Sequence, residues 1–156
     1  MSDKFLVTES SYQELQQKLE HMKKVKRAEI AEALRKARSY GDLSENFEYH
    51  AARRDQGILN GQIAEMEKQL EIATVVADGA TETGTIGLGS IVVLRDLATD
   101  DDWEFTLVDA VKANPLEERI SVQSPVGQAV HGKKAGEAVD VQTPGGLDTY
   151  EIIEVK

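Results

Sequence analysis

The chain has 156 residues, 40% hydrophobic and 29% charged, which suits one or two small globular domains and excludes a fibrous or disordered polymer. It contains no cysteine, so disulfide staples and thiolate ligands or nucleophiles are excluded, and a cytoplasmic, reducing setting is expected. The net charge of −10 is uneven: residues 1–75 carry 12 Lys and Arg against 13 Asp and Glu, and residues 76–156 carry 6 against 15. Affinity for bare DNA rests on phosphate neutralisation by Lys and Arg, so so acidic a chain is a poor candidate for it. No apolar run approaches the ~20 residues that span a bilayer, and the opening MSDKFLVTES has no hydrophobic signal core. No membrane partner is expected. His21, His50 and His131 stand far apart without ligand spacing and read as surface or packing residues.

In chain order, residues 8–38 read as one long helix, free of Pro and Gly, with Thr8 or Ser10 as its cap and Gln13 placed for a capping box with Ser10. Tyr12, Leu15, Leu19 and Met22 form an apolar stripe that resumes out of phase at Ile30, Leu34 and Ala37, a stutter-like shift. A second helix is expected over 45–74 from Leu59, Ile63, Met66, Leu70 and Ala73. Narrow stripes with charged flanks predict an antiparallel coiled-coil hairpin of about 45 Å, its turn at the far end. The domain boundaries follow: a hairpin over 1–75 with its tip at 41–48, a Gly-, Thr- and Ala-rich linker over 76–88, and a second domain over 89–156.

After the linker the apolar period changes to two. SIVVLR (90–95), DWEFTLVDA (102–110), RISVQS (119–124), AVDVQT (138–143) and TYEIIEV (149–155) are strand candidates. TPGG at 143–146 predicts a hairpin turn between the last two strands. Ser124, Pro125 and Gly132 predict the cap, first turn and end of one short helix. The fold class is α+β: a helical hairpin, then a small, mainly antiparallel sheet with one short helix.

The hairpin turn, GDLSENFEYHAARRDQG (41–57), is dense in charge. Asp42-x-x-Glu45 fits a capping box on the second helix, and acids suit a helix N-terminus. The same carboxylates, with Ser44 and Asn46 beside them, also make an oxygen-rich point able to supply part of a Mg²⁺ site whose other ligands come from a partner. Arg35, Lys36 and Arg38 precede the turn and Arg53 and Arg54 follow it, which suits a metal held near a phosphate chain. The competing reading of this charge is a solvated face with pairs such as Glu32–Lys36.

The turn closely resembles the tip signature of the bacterial Gre family of transcript cleavage factors. The resemblance extends to the stretch Thr8–Leu15 and to RISVQSPVGQAVHGKKAGEAVDVQTPGGLDTYEII at 119–153. It implies an N-terminal coiled coil that enters the secondary channel of RNA polymerase and an FKBP-like C-terminal domain that docks near the channel rim. It further implies that Asp42 and Glu45 help hold the second Mg²⁺ of the polymerase active centre and so promote hydrolysis of backtracked RNA. Carried over with it are support of the tip by Ser44, Asn46 and Tyr49 and steering of the nascent RNA 3′ segment by Arg35, Lys36, Arg38 and Arg53. Glu48 is expected to be an ion-pair partner. A monomer that binds no metal tightly alone, is not itself an enzyme and releases short RNA fragments is expected. Phe47 departs from the small residue usual in the family, and Gln128 and His131 depart from an Arg and an aliphatic residue. Both tip acids are present, unlike relatives whose altered tip inhibits the polymerase.

Three other classes compete. A non-cleaving channel regulator shaped like DksA would lack the need for both tip acids. A prolyl isomerase needs an aromatic pocket, for which the second domain offers only Trp103, Phe105 and Tyr150. A free nuclease needs more convergent ligands than the chain carries.

Overall fold

The computed structural model describes residues 5–79 and 84–156. The chain divides into two units, one of residue 5 with 12–73 and one of residues 6–11 with 74–156. Of the expected linker, residues 80–83 lie outside the described residues, as do 1–4 at the start of the hairpin segment. A short strand pair, β1 (Phe5–Val7) and β2 (Ala73–Val75), brackets the helices.

The helical unit is an antiparallel hairpin. Its first arm runs through α1 (Glu9–His21), a π-helical turn (Met22–Lys26) and α2 (Arg27–Arg38); its second arm is α3 (Phe47–Ile72). The 26 residues of α3 span about 39 Å. Leu34 and Ala37 on one arm and Ala52, Leu59, Ile63 and Met66 on the other are buried along the seam, while the flanks are exposed. Lys23 Nζ pairs with Glu67 across the arms at 2.7 Å.

The stutter-like shift has a different origin from the one expected. A stripe of strict 3, 4 spacing would place its residues at 29, 33 and 36; the observed Ile30, Leu34 and Ala37 each come one residue later. A π-turn holds one extra residue, and the Arg27 N–H bonds the Met22 carbonyl five residues back. The slip is thus absorbed within the helix, and both halves of the stripe face the same seam. Val25, in this turn, is exposed.

The second unit is a five-stranded sheet in the order β5-β4-β3-β7-β6, formed by β3 (Ile91–Asp96), β4 (Asp102–Val108), β5 (Arg119–Ser121), β6 (Ala138–Thr143) and β7 (Gly146–Val155). All its ladders are antiparallel except β4–β5, which is parallel from Thr106↔Arg119 to Val108↔Ser121. The last two strands form the expected hairpin, with Thr143 opposite Gly146. Alternation sends Val92, Leu94, Phe105, Leu107 and Ile152 to one core, completed by Val130 of α4 (Pro125–Val130). Ile86 and Leu88, inside the expected linker, also lie in that core. Ser124 caps α4 by accepting the Gly127 N–H at 3.1 Å. Gly127 is required there, because a Cβ would stand 2.1 Å from the Ser121 carbonyl oxygen.

Within this unit Thr8, not Ser10, caps α1: its Oγ1 accepts the Ser11 N–H at 3.3 Å. The buried Asp109 carboxylate accepts the Thr8 N–H and the Lys112 N–H, each at 3.0 Å. Phe105 is core, and Trp103 tilts against it at 4.6 Å while its Nε1–H donates to Glu118 at 2.7 Å. Two of the three aromatics an isomerase pocket would need are therefore committed to packing.

Candidate functional site at the hairpin tip

The tip begins where α2 ends. Gly41 (φ 78) and Asp42 (φ 28) both adopt positive φ, after which Leu43–Glu45 form one 3₁₀ turn. Gly tolerates this region; Asp rarely does, and such a conformation costs about 1–3 kcal/mol and persists only where the surroundings impose it. The positive φ pair delays the start of α3 until residue 47.

The capping box expected of Asp42 and Glu45 is absent. Asn46 is the cap: its Oδ1 accepts the Tyr49 N–H at 3.0 Å. The same side chain donates through Nδ2 to the Ala37 carbonyl at 2.7 Å, with a longer approach of 3.4 Å to the Gly41 carbonyl. One amide therefore caps the second arm and ties it to the last turn of the first. The 3₁₀ turn has no side-chain cap either.

Asp42 and Glu45 are both exposed and, among the described residues, form no ion pair. Ser44 Oγ donates to Asp42 Oδ1 at 2.9 Å, which fixes that carboxylate and leaves its other oxygen to solvent. His50 Nε2 lies 3.3 Å from the Ser44 carbonyl oxygen. The Tyr49 ring meets His50 edge-on at 5.6 Å and carries the Arg38 guanidinium 5.8 Å from its centroid, within cation–π range. Glu48, expected to pair, is exposed and makes no ion pair among the described residues. No three His, Asp or Glu side chains among the described residues come together as a metal site.

The cations are not equivalent. Arg35, rather than Lys36, pairs with Glu32, one turn away. That bond holds the Glu32 carboxyl below its ordinary range and the Arg35 guanidinium above its own. Lys36, Arg53 and Arg54 are exposed and have no ion-pair partner among the described residues.

The two halves of the chain each match a family model. Residues 5–75 match "Transcription elongation factor, N-terminal", and residues 81–156 match "Transcription elongation factor, GreA/GreB, C-term". The transcription elongation factor GreA of Clostridium acetobutylicum is 39% identical over 153 residues, covering 98% of this chain and 97% of the relative. That of Bacillus anthracis is 41% identical over 150 residues, covering 96% and 95%. The chain belongs to the GreA/GreB family of transcription elongation factors. Among solved structures, GreA factor homolog 1 (Gfh1) of Thermus thermophilus aligns over 98% of this chain and 99% of its own, at 26% identity and a TM-score of 0.45.

For a GreA/GreB chain, sequence reasoning missed two features of the tip. One is the double role of Asn46, hidden because Asp42, Ser44 and Asn46 are all good cap residues. The other is the outer face of α3. Phe47 is 87% exposed, and Arg54 and Ile58, seven and eleven residues on, share its face and are exposed too. Tyr40 and Leu43 add two more exposed apolar side chains at the tip. Helical spacing from Phe47 was the available signal for the first group.

Proposed function

We propose that this chain inserts its hairpin into the secondary channel of bacterial RNA polymerase and stimulates cleavage of backtracked nascent RNA. One observation carries the reading: the tip holds two exposed carboxylates, neither of which caps a helix or joins an ion pair among the described residues, and one sits in a costly backbone conformation. Capping was the alternative reason for those acids, and Asn46 takes that role.

Two carboxylates fit Mg²⁺ only in part, since the ion needs about six oxygen ligands and readily takes the remainder from water, phosphate or a second protein. Asp42 and Glu45 would hold the second ion of the polymerase active centre jointly with polymerase groups. When bound there, that ion supplies an activated water and charge stabilisation for phosphodiester hydrolysis. This chain's own residues do the rest. Ser44 orients Asp42, Asn46 and Tyr49 hold the turn, and Lys36 and Arg53 offer unpaired charge to the RNA 3′ segment. Arg35 and Arg38 are weaker candidates for that contact, being engaged by Glu32 and Tyr49. The chain is then not an enzyme in its own right; the hydrolysis belongs to the polymerase. The acidic sheet domain would dock on the polymerase by protein contacts, and the factor would act as a cytoplasmic monomer.

The test is RNA cleavage in a stalled, backtracked elongation complex with Mg²⁺, with Asp42→Asn and Glu45→Gln and with binding measured in parallel. Wild type is expected to accelerate cleavage, and both variants to bind without accelerating it. Binding without acceleration by wild type would refute the reading in favour of a channel-occupying regulator of the DksA kind.

A further inference from the structure

The most exposed large apolar side chain at the tip takes no part in the helix cap, the acid pair or the seam. Phe47 opens α3 as a residue 87% exposed, although an apolar ring gains about 25 cal/mol for each Å² removed from water. Nothing in the hairpin covers it, because the buried seam of α3 runs through Ala52, Leu59 and Ile63 on a different face. Its own face continues through Arg54 and Ile58. Arg54 is exposed and unpaired among the described residues, as is Arg53 beside it.

We infer that Phe47 is a stacking platform for the unpaired base at the extruded RNA 3′ end, with Arg54 receiving a phosphate of the same strand. This rests on the function proposed above and adds the ligand of one face of the tip. The charge distribution selects the orientation. Asp42, Glu45 and Glu48 surround Phe47 in sequence and repel a phosphate there unless a metal intervenes, whereas a neutral base is not repelled. On α3 itself the first cations are residues 53 and 54, roughly 10 Å farther along the helix, and Arg38 of the other arm is engaged by the Tyr49 ring. A base at the ring and backbone at the arginines satisfies both. A protein wall would suit Phe47 alone, but it gives no reason for two arginines beside this face that are unpaired among the described residues. Stacking on an aromatic side chain is sequence-tolerant, as a factor that meets any 3′ nucleotide requires.

The test is a cycle between protein and RNA. Equilibrium affinity of the full-length factor is measured for backtracked complexes whose extruded 3′ nucleotide carries a base or is abasic, using wild type, Phe47→Ala and Phe47→Tyr. Affinity for RNA-free polymerase is measured alongside. Removal of the base should weaken wild type and Phe47→Tyr by roughly tenfold and leave Phe47→Ala unchanged. Arg54→Gln should weaken both complexes equally and flatten the salt dependence. Equal loss by Phe47→Ala on both complexes and on RNA-free polymerase would assign Phe47 to a protein contact and overturn the inference, as would a wild type indifferent to the base. Cleavage by wild type in the base-containing complex is read separately: its absence strikes the proposed function, while the affinity cycle still decides the platform.

Discussion

Asn46 is the point where the structure makes the sharpest demand. Its carbonyl oxygen caps α3 and its amide nitrogen bonds the Ala37 carbonyl, so one side chain closes the loop that carries both acids. Loss of a cap costs about 1 kcal/mol, and loss of the bridging hydrogen bond about another. The 3.4 Å approach to Gly41 is too long to add much. Asn46→Ala should therefore raise the population of the open tip by roughly 30-fold, from a total of about 2 kcal/mol at 1.4 kcal/mol per factor of ten. Asn46→Ser keeps a capping oxygen but has no amide to reach Ala37, so it should give about half that energy, a factor of roughly five. Hydrogen exchange at the Tyr49 and His50 amides reads the opening directly, and the Mg²⁺ concentration giving half-maximal cleavage reads its consequence. Both should move in the order wild type, Ser, Ala. Identical exchange at those amides in all three proteins would refute the assignment of Asn46 as the clasp of the tip. Altered exchange with an unchanged Mg²⁺ dependence would separate the clasp from any metal role.

Other outcomes follow from packing and charge. Deletion of Val25 should turn the π-turn into α-helix and leave the seam in register, so the hairpin should melt within a few degrees of wild type; a collapse of helicity by circular dichroism would contradict the one-residue origin of the phase slip. Gly57 and Gly61 of α3 have open space where a Cβ would stand, so Gly57→Ala and Gly61→Ala should each stabilise the hairpin by up to about 1 kcal/mol in denaturant titration. Ile63→Ala, at the buried seam, should cost about 2–5 kcal/mol in the same measurement. Burial, and then the carboxylates of Asp148 and Asp96, raise the Tyr150 phenol above its ordinary value near 10. The folded state holds that proton more tightly than the unfolded chain. The contribution is therefore complete below pH 10 and is lost as pH rises through the folded value; Tyr150→Phe should flatten the alkaline fall in melting temperature.

The strands were legible because each buries one face, and alternation such as Val92-x-Leu94 or Phe105-x-Leu107 leaves a period of two that no local contact disturbs. The parallel β4–β5 pairing was not legible, since β5 is three residues long and its partner is set by the turn through Pro115–Glu117. The π-turn left a trace in the one-residue slip of the stripe but none in composition, because MKKVK is ordinary helical sequence. At the tip, residue types alone pointed to a cluster of acids but not to which of three candidate oxygens caps α3. The backbone decides that: with Gly41 and Asp42 at positive φ, the helix starts too late for Asp42 to reach its first amides. The exposure of Phe47 was legible only once the start of α3 was fixed, because its helical offset from Ala52, Leu59 and Ile63 then puts it outside the seam.

The measurement that bears most directly on the central claim is the Mg²⁺ dependence of RNA cleavage in a backtracked complex saturated with factor. If Asp42 and Glu45 hold an ion jointly with the polymerase, wild type should lower the Mg²⁺ concentration for half-maximal cleavage, and Asp42→Asn or Glu45→Gln should return it to the value without factor. If wild type accelerates cleavage with no change in that midpoint, or the variants retain the shift, the acids do not hold the metal and the central claim is wrong.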